Sequence, residues 1–158
     1  MKPGIIITRL WFDIDVVELR IRVSDGTSSF SNDVYVAHDT LEDAVSSLQA
    51  FRNHLHGGLL DLQFGEFGPE FGKGAFHARF HLLLPGRLFV TCKQEAELVE
   101  FANKQVASKA TLYVKSEPVL LDRFIEEMVA LVARTSAEAE LEGIDKNAKS
   151  KRHERKTT

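Results

Sequence analysis

Between Gly74 and Cys92 the chain reads GAFHARFHLLLPGRLFVTC. Phe76, Ala78, Phe80, Leu82 and Leu84 alternate with Ala75, His77, Arg79, His81 and Leu83. That two-residue period belongs to a strand with one buried and one wetter face. Pro85-Gly86 breaks it, and the β-rich run RLFVTC follows, so the stretch predicts an antiparallel hairpin. His77, Arg79 and His81 share its polar face.

Upstream, Val17, Leu19, Ile21 and Val23 alternate with Glu18, Arg20 and Arg22. Ile14 and Val16 have the opposite parity, which calls for a bulge near Val16-Val17 if both sets are to be buried. Ser24-Asp25-Gly26-Thr27 supplies turn chemistry. A strand over about residues 30–37 follows, with Val34 and Val36 on one face and Tyr35 on the other. Leu41, Val45, Leu48, Phe51 and Leu55 then recur at helical spacing, with Asp39 or Thr40 as N-cap and Gly57-Gly58 as the stop. His54 and His56 fall in the last turn, where helix-end cations are expected.

Leu59 to Phe64 predicts a third strand, followed by FGEFGPEFGKG. This glycine-phenylalanine stretch is a bent connection whose aromatics either tuck onto a core edge or form an exposed contact loop. Farther on, Ala96, Val99, Ala102 and Val106 fit a helical face, yet Val99 and Phe101 also alternate, as do Ala110, Leu112 and Val114. A second long hairpin turning near Asn103-Lys104 is the favoured reading. The final helix is capped by Ser116, has Pro118 in its first turn, and presents Leu121, Phe124, Ile125, Met128, Leu131 and Val132 to the core. Past Arg134 it turns acidic through Glu138, Glu140 and Glu142, and Gly143 ends it.

The 158 residues, 44% hydrophobic and 27% charged, suit one domain with a core that needs neither metal nor disulfide. We place that domain at residues 1–143 and a basic tail at 144–158, where six Lys and Arg face Asp145 and Glu154. A solvated, disordered tail is expected, with weak nucleic-acid contact as its functional alternative. The net charge of −3 gives no nucleic-acid footprint for the whole chain. MKPGIIITRLWF lacks a signal-peptide cleavage pattern, and no apolar run reaches the length of a membrane span. The single cysteine, Cys92, reads as a buried, inert thiol in a reducing cytosol.

Candidate chemistry is sparse. His77 and His81 lie two side-chain repeats apart along one strand, roughly 13 Å, too far to share a metal. A metal site would need His54, His56 or a carboxylate brought over by folding, without any H-E-x-x-H or paired-cysteine signature. No G-x-S-x-G elbow is present, and the glycines from 65 to 74 lead into a strand instead of a helix N-terminus. Glu66 and Glu70 lie in that loop, but acid–base work also requires a shaped, partly desolvated site. The candidate partner-contact surface is therefore Tyr35, Phe67, Phe71, His77, Arg79 and His81, on a sheet face not covered by helices.

Trp11 with Asp13, the pair DVVELRIRVSDG and FSNDVYV, the helix TLEDAVSSLQAF, then LDLQFGEFG, FHARFHLLLPG and SEPVLLDRFIEEM form a recognisable order of blocks. Over residues 10–135 this order resembles the WapI-like immunity-protein family of bacteria and its relatives. The glycine-phenylalanine loop and the tail after Gly143 depart from that pattern. The resemblance implies a small α+β domain that binds and neutralises a cognate protein toxin, with no cofactor and no catalytic motif.

The expectation is thus an α+β protein with an antiparallel sheet of about six strands and two amphipathic helices on one face. Its function would be cytoplasmic protein binding of immunity type, without enzymatic activity. The alternative is a small-molecule- or metal-binding enzyme using the His77, Arg79 and His81 face.

Overall fold

The computed structural model describes residues 1–53, 58–68, 70–84 and 86–145. The expected helix-end residues His54, Leu55, His56 and Gly57, the turn residue Pro85, the side chain of Leu84 and the tail from residue 146 lie outside that description. The elements run β1 (Gly4–Phe12), β2 (Val16–Ser24), β3 (Ser29–Ala37), α1 (His38–Arg52), β4 (Leu59–Gly65), β5 (Lys73–Leu84), β6 (Arg87–Glu97), β7 (Val99–Phe101), β8 (Lys104–Val106), β9 (Lys109–Ser116), α2 (Pro118–Val132) and β10 (Glu138–Glu142).

The fold is α+β with antiparallel pairing throughout these strands. Instead of one sheet of about six strands, the described residues form two four-stranded sheets, ordered β10-β1-β2-β3 and β4-β5-β6-β9, and a separate β7-β8 ribbon. The helices do not cover one face of a single sheet. They pack on each other, α1 reaching β3 and β4 and α2 reaching β10, and both share one cluster of buried side chains with the two sheets.

The alternations translate into the inner faces directly. Leu19, Ile21 and Val23 of β2, Val34 and Val36 of β3, and Phe76, Ala78, Phe80 and Leu82 of β5 are buried. So are the helical stripes Leu41, Val45, Leu48 and Phe51, and Leu121, Phe124, Ile125, Met128 and Leu131. Phe51 of α1 meets Phe80 of β5 edge-on at 6.2 Å, a favourable aromatic geometry that ties the helix to the second sheet.

Several local expectations are corrected. The bulge sits on β1, between Arg9 and Trp11, not near Val16-Val17; Ile14 is 91% exposed in the turn between β1 and β2, so its parity needs no compensation. Neither Asp39 nor Thr40 caps α1, which starts at His38 behind Ala37 with no side-chain cap. Its start is instead tied to that turn, because the His38 ring Nε2 lies 2.7 Å from the Asp13 carbonyl oxygen. Ser116 does not cap α2 either. Its hydroxyl donates to the Glu142 carbonyl at 2.7 Å, while Pro118 occupies the first turn as expected.

The last helix is shorter than its sequence suggests. It ends at Val132, and Arg134 turns the chain with a positive φ of 64°. The Arg134 N–H donates to the Leu131 carbonyl and the Thr135 N–H to the Ala130 carbonyl, the paired bonds of a Schellman ending. Arg9 Nη1 donates to the Leu131 and Ser136 carbonyls, tying the helix end and the turn after it to β1. The acidic run 138–142 is then free to become β10, burying Ala139 and Leu141.

The second long hairpin does turn where the alternation placed it. Ala102 and Asn103 hold φ at 48° and 65°, as a two-residue primed turn requires. Its arms are β6 with β7 and β8 with β9.

Candidate functional site

Edge strand β3 lies against β5 and β6, and polar side chains from the inner faces fasten it there. Asn32 Nδ2 donates to the Ala75 and Glu95 carbonyls, and Gln94 Nε2 donates to Asn32 Oδ1, Ile21 O and Phe30 O. These bonds serve buried groups that would otherwise lose water without replacement. At the same crossing, a Cβ on Gly74 would lie 2.4 Å from the Asp33 carbonyl oxygen. Loop residues Glu66, Glu70 and Phe71 consequently lie beside Tyr35 of β3.

The loop divides its aromatics. Phe64 belongs to β4 and is buried, Phe67 is half-buried, and Phe71 is exposed. The Gly68 N–H donates to the Glu95 carboxylate at 3.0 Å, and the Gly72 carbonyl accepts the Leu98 N–H at 3.2 Å. Glu95 is buried although it has the outward parity of Phe89, Thr91 and Lys93, because the loop folds over it. The loop thus shelters Phe67 in part and leaves Phe71 exposed.

Between loop and strand lies a groove of about 320 Å³, lined by Tyr35, Gly65, Glu66, Glu70, Phe71, Lys73 and Gly74. Tyr35 is 45% and Phe71 49% exposed. Beside them stands Trp11, 43% exposed, its ring 6.2 Å from that of Tyr35 and edge-on to it. The β1 bulge places it there: beyond the register shift Trp11 pairs with Glu18, which in turn pairs with Tyr35. A regular strand would send Trp11 to the side of Ile5 and Ile7. A hydrogen bond to Glu18, then the negative charges of Glu18, Glu97 and Asp33, raise the Tyr35 phenol above its ordinary value. The groove is thus aromatic with acidic surroundings.

His77, Arg79 and His81 lie elsewhere, on the outward side of β5. Arg79 Nε donates to Asp61 Oδ1 at 2.9 Å, and His77 Nε2 lies 3.0 Å from the same oxygen. The Arg79 guanidinium, and secondarily His77, hold the Asp61 carboxyl below its ordinary value. Of the six candidate residues, the structure brings Tyr35 and Phe71 to one groove and His77 and Arg79 to one carboxylate. Among the described residues no three His, Cys, Asp or Glu side chains converge as a metal site would need. Cys92 is fully buried, and burial pushes its thiol up to about 12, far from thiolate reactivity.

Trp11 is the site residue that alternation misses, since its outward position depends on the bulge. Glu66 and Glu70 are visible in the sequence, but their place opposite Tyr35 depends on the sheet crossing.

No family model, curated protein or solved structure matches the chain. No helix among the described residues is long and apolar enough to cross a membrane.

Proposed function

We propose that the chain is a cytoplasmic, non-enzymatic protein-binding module of immunity type, which neutralises a bacterial toxin by covering part of its surface. The observation that carries this reading is the groove between exposed Tyr35 and Phe71, with exposed Trp11 edge-on against Tyr35. Exposed Trp and Tyr in contact are the residue types that supply most binding energy in protein interfaces. Support also comes from rigidity. Tyr35 sits on a strand fastened to the second sheet through Asn32 and Gln94, and a rigid platform binds with little ordering cost.

The surface extends past the groove. The β7-β8 ribbon begins beside Gly72, and its Val99, Phe101 and Val106 are exposed. The test is affinity capture from the native bacterium with the intact chain and with a Tyr35→Ala/Phe71→Ala variant of the same fold. One stoichiometric polypeptide should be retained by the former and lost by the latter, and co-expression should suppress that polypeptide's toxicity. A folded chain that retains no stoichiometric polypeptide would count against the proposal.

A further inference from the structure

We propose that the groove between Tyr35 and Phe71 receives a lysine or arginine side chain presented by the partner protein. The inference rests on the binding-module reading and names the chemistry of the partner at that site.

Three observations converge on a cation. The walls are aromatic: Tyr35 and Phe71 line the groove, and Trp11 backs Tyr35 edge-on. Exposed aromatic faces attract ammonium and guanidinium groups through their quadrupoles, and Tyr and Trp rings do so best. The rim is acidic: Glu66 and Glu70 lie in the lining, opposed there by Lys73, and Glu18 is the cross-strand neighbour of Tyr35. Asp33, next to this rim, is paired with Arg20 Nε at 2.9 Å.

The third observation is the charge of the body. Of the chain's 20 Lys and Arg and 23 Asp and Glu, residues 144–158 hold six and two, leaving 14 against 21 in residues 1–143. Such a body draws basic partners and repels acidic ones. An anionic or purely apolar group would meet carboxylates it cannot satisfy. A guanidinium would exchange its water for ring faces and carboxylate oxygens, with its aliphatic stem on Phe71.

The test is titration of the full chain with a blocked Gly-Arg-Gly-Arg-Gly peptide, and with its glutamate counterpart, followed by fluorescence of the single tryptophan, Trp11. The arginine peptide should give a saturable, salt-sensitive change, and the glutamate peptide none. Tyr35→Ala should weaken binding at least about fivefold, and Glu66→Gln with Glu70→Gln about as much. Glu138→Gln with Glu140→Gln, on the far edge strand β10, removes the same charge and should leave affinity within twofold.

No saturable change, or equal loss from both glutamate pairs, would overturn the proposal. So would binding that emerges only after Lys151→Gln and Arg152→Gln, since the chain's own C-terminal residues would then be the occupant. Failure of the peptide alongside capture of a polypeptide that Tyr35→Ala abolishes would remove the cation and leave the binding module. Peptide binding without any captured polypeptide would do the reverse.

Discussion

At Gly74 a Cβ would stand 2.4 Å from the Asp33 carbonyl oxygen, and φ is held at +88°. A side chain is excluded twice, by the backbone of β3 and by the left-handed conformation. Gly74→Ala should therefore destabilise the fold by at least about 2 kcal/mol in chemical denaturation, with Tyr35 and Phe71 no longer held across one groove. At Asp61 the carboxyl lies below its ordinary value of 3.8 because Arg79 and His77 favour its charged form. Stabilisation from that group is present above the unfolded-state value and fades as pH falls through the folded one. Asp61→Asn should cost a little stability at neutral pH and converge on the parent chain in acid. Asp61 is 43% exposed at its side chain, so added salt should shrink the difference. Unchanged separation of the two denaturation curves at low pH would contradict that assignment.

At the level of elements, periodicity carried farthest where an element is regular and half-buried. Strands β2, β3 and β5 and the stripes of both helices follow from alternation or helical spacing. The misread places have identifiable causes. α2 ends at Val132, and the chain turns at Arg134, which adopts positive φ without being glycine and whose guanidinium lies 4.0 Å from the Phe12 ring centroid. No glycine marks the stop, so the acidic run to Gly143 reads as more helix. β1 alternates only as far as its bulge, and β10 is a short strand whose partner is at the other end of the chain; local pattern cannot identify either pairing. Asn32 and Gln94 offered a signal of their own, as polar residues at positions of apolar parity. Such residues in a core need partners. Gln94→Ala removes three donated bonds and strands Asn32 Oδ1; it should lower stability by about 2–3 kcal/mol. Gln94→Glu should do at least as much harm, because it replaces a donor with a buried charge. A neutral effect of both on the denaturation midpoint would contradict the role given to this crossing.

For the whole molecule, two sheets instead of one change what is available to a partner. A single six-stranded sheet backed by helices would expose one broad face, with Tyr35 and the His77–Arg79–His81 row as parts of it. The observed crossing of β3 over β5 and β6 separates them. Tyr35 and Phe71 line one groove with Trp11 edge-on to Tyr35, while His77 and Arg79 engage Asp61. The residues of the proposed surface were mostly visible in the sequence, but their grouping was not, because it depends on a bulge, a sheet crossing and a folded loop. Their acidic setting adds a kinetic expectation. Association with a basic partner should slow as salt rises, whereas dissociation should depend chiefly on the aromatic contacts.

The most direct measurement is a calorimetric titration of the captured polypeptide into the parent chain and into the Tyr35→Ala/Phe71→Ala variant, with thermal unfolding showing both to be folded. A one-to-one complex with the parent and at least about tenfold weaker binding by the variant is the predicted result. Equal affinity for the two would contradict the assignment of this groove as the binding site.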